Sequence, residues 1–445
     1  MMIDNNKAEY IPTKFIMDLS EIDWDENDQI TDETFPMFVH EYCHYIQDVS
    51  TISAILGFYY KMIDVAELTK ITCYGTGKII NIPIQKDIEG HSINKNKKLY
   101  SYYCGHVISF NDQFNFDIRT KEVAKISLGK NDINIPLYKL DSPGHPDILV
   151  GTYALQESQA YYCQKLIETE ILKENKNICF KISADSLPNY PYRFVDYLFD
   201  SFQLNTSIET KAFIVDLCLN SCLPLVTLIK VLELLKEKGM TLDIIELNNI
   251  YLKALILSDI PQALAIHDTI ASFFKNIILD VNRDYFKKGI NWYLETIAIM
   301  REHRTRSLYR INGIFSNINH VKGFMIQNRP PAILKNNDIA YFNYANDKLL
   351  EGQNILDAVT ILFLYVHIYS LSTASNIEEL NKLIRCPLFN NCQIRKDIGS
   401  DYCCKSAPWT ISEHHKEKGK ACYYRKALME LGLDQNKIEI NHFNY

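Results

Sequence analysis

The stretch Met1-Met2-Ile3-Asp4-Asn5-Asn6 lacks the basic patch and apolar run of an export signal, so a cytoplasmic protein is expected. Long apolar segments free of charge are missing too. The two most apolar stretches, 211–234 and 354–371, carry Asp216 and Lys230 or Asp357 and His367, and predict buried helices rather than membrane spans. There is no surplus of positive charge. With 54 acidic against 47 basic residues the net charge is −7, which argues against nucleic acid as the main partner. Glycine (16) and proline (14) are scarce in 445 residues, no segment is low in complexity and no internal repeat is present, so a linker-rich or solenoid chain is excluded. Abundant Ile, Asn and Lys beside so few Gly and Pro suit an AT-rich bacterial genome. Twelve cysteines without an export signal predict reduced thiols, some open to a metal, rather than a disulfide framework.

What is present is enough apolar material, 47% of the chain, to bury a large core in one to three domains. Apolar spacing predicts helix over 33–69, broken near Ser50-Thr51. From 71 to 140 the texture becomes that of short strands, at 78–84, 107–110, 114–118 and 133–140. The segment Asp141-Ser142-Pro143-Gly144-His145-Pro146-Asp147 reads as a loop, with a helix starting near 148. A strand is expected at 179–183. Helical periodicity then runs to about 384, interrupted at Pro224, Pro261 and Pro330-Pro331.

The stretch that carries chemistry is His40-Glu41-Tyr42-Cys43-His44. On a helix, residues i and i+4 stack on one face, so His40 and His44 can offer two imidazole nitrogens to one metal ion. Glu41 stands beside them as a base for a water held at that ion. Asp32 or Thr34 can cap the helix, and Pro36 fits its first turn. Phe35, Phe38, Val39, Tyr42, Cys43 and Ile46 bury most of its surface, and histidines inside a buried helix need partners. A third ligand is required. The best candidate is Glu157, a carboxylate among Tyr153, Ala154, Ala160 and Tyr161, where small residues permit close approach of another helix. A salt bridge from Glu157 to a core arginine is the competing reading, and Glu67, Asp141 and His145 are rival ligands. Glu168, Glu170 and Glu174 read as solvated at a polar helix end. Asp48, four residues after His44, either orients an imidazole or faces solvent, and His303 sits in a basic turn that reads as solvated.

The pentad resembles that of the gluzincin-type zinc metallopeptidases, and Glu157-x-x-Ala160 is similar to the second half of their signature. The metzincin pattern is absent, because Gln47 and Ser50 stand where its glycine and third histidine belong. The resemblance covers about 45 residues, with 112 positions between His44 and Glu157, and Tyr161 replaces an Asp that some families carry. It implies a catalytic zinc held by His40, His44 and Glu157, with Glu41 activating a zinc-bound water to hydrolyse peptide bonds of a specific intracellular protein or peptide. The implied architecture is α+β, mainly α. It comprises an N-terminal segment 1–30, a zincin-like region 31–175 with a β insertion at 71–140, a helical domain 176–384 and a cysteine-rich module 385–445.

That module holds Cys386, Cys392, Cys403, Cys404 and Cys422 with His414 and His415 between them. Clustered thiols among few core formers suggest a second, structural zinc, although no C-x2-C pair is present, and buried packing thiols remain an equal alternative. A non-catalytic binding protein on the same scaffold, its tail recognising a partner or nucleic acid, is the alternative function.

Overall fold

The apolar run after Thr34 folds into α1 (Phe35–Ser50), and the break falls at Thr51, ahead of α2 (Ile52–Cys73). Thr51 does the breaking chemically. Its extended backbone ends α1, its hydroxyl donates to the Gln47 carbonyl (2.8 Å) and then accepts from Ala54 N (3.3 Å) to start α2. The N-terminus departs from expectation: neither residue caps it by side chain, and Thr34 Oγ1 instead exchanges hydrogen bonds with the Asp23 backbone. α1 is buried on every side. Glu41 is its one residue that is not.

The computed structural model describes residues 9–11, 15–19, 21–26, 29–73, 79–82, 100–116, 122–128, 131–143, 145–238, 243–258, 263–280, 284–306, 310–315, 317–327, 332–335, 338–341, 349–372, 374, 380–381, 383–389, 404–405, 408, 422–431 and 437–440. The fold is mainly helical with small sheets. In the expected β region lie β3 (Ile79–Ile82), β4 (Asn115–Phe116), β5 (Glu122–Leu128) and β6 (Asn131–Ser142). The segment 141–147 is not a loop leading into a helix. Strand β6 turns at Pro143 and returns as β7 (His145–Val150), antiparallel to it, so the helix starts four residues later than expected. Residues 107–110 form no strand and contribute one bridge, Phe110 to Tyr190.

α3 (Thr152–Glu174) follows directly and packs along α1. Ala154 and Ala160 are fully buried, and Cys43 Sγ of α1 lies 3.7 Å from Cys163 Sγ of α3. The start of α3 is pressed against residues 103–105. A side chain at Gly151 would put Cβ 2.4 Å from the Tyr103 carbonyl oxygen, so only glycine lets α3 begin there.

Among the described residues there follow the helices α4 (Phe194–Ser201), α5 (Ile208–Leu219), α6 (Pro224–Lys238), α7 (Ile244–Leu257), α8 (Ala263–Asp280), α9 (Asp284–Arg306), α10 (Arg310–Phe315), α11 (Ile318–Gln327), α12 (Leu349–Ser372) and α13 (Tyr423–Glu430). Pro224 opens α6, where its missing N–H costs nothing. The expected strand at 179–183 is irregular chain. It has no partner strand among the described residues, and instead Lys181 N bonds Glu33 O while a 3-10 turn begins at Ala184. Glu168 is correspondingly not solvated: it is 3% exposed and accepts from Ala184 N.

Two sheets draw on strands the sequence did not reveal, with β3 alone inside an expected strand. β1 (Glu9–Ile11) and β2 (Ile16–Asp18) join β8 (Ala332–Lys335) and β9 (Asp338–Tyr341) in the order β1-β2-β8-β9, and β10 (Lys437–Ile440) pairs in parallel with β3. Strands of three or four residues are too short to register as alternation. One continuous hydrophobic cluster runs from Phe15 to Leu431. Among the described residues, no helix is long and apolar enough to cross a membrane.

Candidate metal centre

The packing of α1 on α3 brings three acceptor atoms to one point. His40 Nε2 and His44 Nε2 each lie 3.3 Å from Glu157 Oε2, and 3.3 Å from each other. Two ligands held about 2.0–2.1 Å from a tetrahedral zinc ion are separated by about 3.3–3.4 Å, so the triangle has the right edge on all three sides. Two imidazoles and a carboxylate are also the donor set that suits this ion, and three protein ligands leave a fourth position for chemistry. Among the described residues this is the one group of three or more such ligand atoms to converge.

Each ligand is buried to a similar degree, with side-chain exposures of 8% for His40, 10% for His44 and 13% for Glu157. Burial resists charge at both members of the His44–Glu157 pair, but their mutual attraction overrides it. The His44 imidazole is raised to about 9 and the Glu157 carboxyl lowered to about 2. Without a metal the site thus favours a buried His44–Glu157 ion pair. The arginine expected as the competing partner of Glu157 is not what holds it; the two histidines are.

The two imidazoles differ on their far sides. His44 Nδ1 meets Gln47 Oε1 at 2.9 Å, whereas His40 Nδ1 is buried without a hydrogen-bond partner among the described residues. Gln47 thus takes the place considered for Asp48, which is itself buried at 6% exposure. Glu41, one residue after His40, is half-buried, and its charge reaches His44, Tyr153 and Tyr192.

Tyr192 is the residue that sequence reading missed. Ser158, adjacent to Glu157, donates to the Pro191 carbonyl (2.9 Å) and holds the 190–192 segment against α3, which sets the Tyr192 ring 5.7 Å from that of His40. Burial, then the Glu157 and Glu41 charges, push the phenol well above its ordinary range. Tyr153, one turn before Glu157, is raised by the same causes. Tyr153 was visible from the helical spacing; nothing in the sequence links position 192 to position 40.

The other candidates lie elsewhere. Asp141 is exposed and accepts from Asp147 N; the side chains of Glu67 and His145 lie outside the described residues. His303 is half-buried rather than solvated, its ring 5.9 Å from Phe324. In the tail, Cys386, Cys404 and Cys422 are buried, and Cys386 N donates to Cys404 O, but the three thiols do not converge as a ligand group. Cys392 and Cys403 lie outside the described residues. No family model matches the chain, and neither a curated protein nor a solved structure shows significant similarity to it.

Proposed function

We propose that this chain is a zinc-dependent endopeptidase, with α1 and α3 as the ligand-bearing helices of a zincin-like core and a cytoplasmic protein or peptide as substrate. The observation that carries the reading is the 3.3 Å triangle of His40, His44 and Glu157 beside Glu41, the one residue of α1 that is not buried. When bound, zinc supplies a Lewis acid that polarises a peptide carbonyl and acidifies a water. Glu41 takes the proton of the attacking water and passes it to the leaving amine, a task that needs access to substrate and so fits its half-buried place. Tyr153 and Tyr192, whose phenols stay protonated at neutral pH, supply O–H donors for the charge that develops on the carbonyl oxygen.

The test is metal analysis of purified wild type, His40→Ala and Glu157→Ala. One zinc per chain in the wild type, lost from both variants, supports the site; full zinc retention by Glu157→Ala sinks it. Peptide hydrolysis is tested by comparing cleaved proteins in cells that carry wild type or Glu41→Gln. Indistinguishable profiles favour the binding protein without catalysis.

A further inference from the structure

We infer that a buried hydrogen-bond relay from Arg304 through Asp216, Gln159 and Gln47 fixes the proton of His44 on Nδ1, and so keeps Nε2 open as a metal ligand. This rests on the zinc reading above, and its test separates the two.

The polarity of the relay follows link by link from groups that have no choice. Arg304, on α9, grips Asp216 of α5 with Nη1 at 2.8 Å and Nη2 at 3.1 Å, and Nη2 also reaches Ser50 Oγ at the end of α1 (2.8 Å). A guanidinium is always charged, so Asp216, 4% exposed, is held as a carboxylate that can only accept. The Gln159 group 3.1 Å from Asp216 Oδ1 is therefore its NH2, which turns its Oε1 toward Gln47. Gln47 must then donate to that oxygen at 2.8 Å, and its second N–H goes to the Gln156 carbonyl at 3.0 Å, which also only accepts. Both protons of Gln47 are committed. Its own Oε1 is left facing His44 Nδ1 at 2.9 Å, and an amide oxygen can only accept. His44 therefore carries a proton on Nδ1 and, when neutral, a lone pair on Nε2, the atom that faces Glu157 and His40.

The orientation of a glutamine amide is usually an assignment, but here a carboxylate at one end and a backbone carbonyl in the middle decide it chemically. Gln47 and Gln159 are 1% and 0% exposed, so no solvent stands ready to replace a reversed link. A volume-filling role would be met equally well by apolar side chains. Among the described residues His40 Nδ1 has no such partner, so there the relay serves His44.

The test uses the full chain with Gln159→Met, Asp216→Asn and the double variant Gln159→Glu/Asp216→Asn. Gln159→Met keeps the Arg304–Asp216 pair and the volume, so it is the variant that folds most safely. The double variant moves the carboxylate one link toward the site and restores an acceptor facing Gln47. Two readouts are followed: zinc affinity against a chromophoric chelator, and the exchange-protected 1H–15N signal of His44 Nδ1–H. Each single variant is expected to weaken zinc binding about 10–100-fold and to lose the protected signal, and the double variant to recover both to within about threefold. Zinc affinity within about twofold and an unchanged signal in Gln159→Met would overturn the relay, as would a double variant no better than Asp216→Asn. If wild type binds no zinc the metal reading falls, yet the Nδ1–H signal in the metal-free protein, read at a pH where the His44 ring is neutral, still decides the relay: present in wild type and lost in Gln159→Met upholds it, and any other pattern overturns it.

Discussion

Two parts of this chain look like metal sites in the sequence, the helix around 40–44 and the tail around 386–422, and they fold in opposite ways. In the first, polar atoms are buried facing one another: two imidazoles and a carboxylate at 3.3 Å, with Gln47 behind His44. In the second, Cys386, Cys404 and Cys422 are buried in the hydrophobic cluster, Cys386 and Cys422 near enough to Tyr424 to raise its pKa beyond the effect of burial, and among the described residues the three thiols form no ligand group. A burial-only count ranks the two alike. Among the described residues, what separates them is that ligand-type atoms converge on one point in the first and do not in the second.

The sharpest way to widen that contrast is Glu41→Gln. It is expected to keep zinc while peptide hydrolysis falls by roughly a hundred- to ten-thousandfold, read as initial rates on the substrate found in cells. Removing a ligand comes next: His44→Ala should lower zinc affinity on the order of a thousandfold, since three ligands share a large binding free energy. A smaller effect is the pH dependence of the metal-free protein. Glu157, held near 2 against an ordinary 4.5, adds stability present above pH 4.5 and lost as pH falls toward 2. His44, held near 9 against an ordinary 6.5, adds stability present below pH 6.5 and lost as pH rises through 9. Chelator-treated protein should therefore show its highest urea midpoint between about pH 4.5 and 6.5 and decline toward pH 9; zinc should abolish the alkaline decline. Smallest of all, Cys386→Ser and Cys422→Ser should leave zinc content unchanged and cost about 1–2 kcal/mol each for burying a hydroxyl, read by urea unfolding. A second zinc in wild type that these substitutions remove would erase the comparison.

How much of this was legible in the sequence depends on the range of each signal. His40, Glu41 and His44 lie within one helical turn and a half, so spacing alone placed them, and Glu157 was found because a lone carboxylate among Ala154, Ala160 and Tyr161 is anomalous locally. The break at Thr51 was legible for the same reason. Gln47 sat in plain view but registered only as the absence of a glycine, since its value comes from Gln159 across the helix pair. Tyr192 and Arg304 are tied to the site by tertiary contacts over about 150 and 250 positions, which no local period encodes. The strands expected at 78–84, 114–118 and 133–140 correspond to β3, β4 and β6, but the β1-β2-β8-β9 sheet was missed for a related reason: β2 finds its partner in β8, more than 300 residues on.

The parallel pairing of β3 with β10 joins positions 79 and 437, and it sets an order of events during synthesis. A ribosome adding roughly 5–20 residues per second needs about 20–70 s to cover that interval, and until it does β3 has no partner strand among the described residues. The segment 79–82 therefore stays unpaired for most of the chain's own translation, and chains cut short of residue 437 should leave it so.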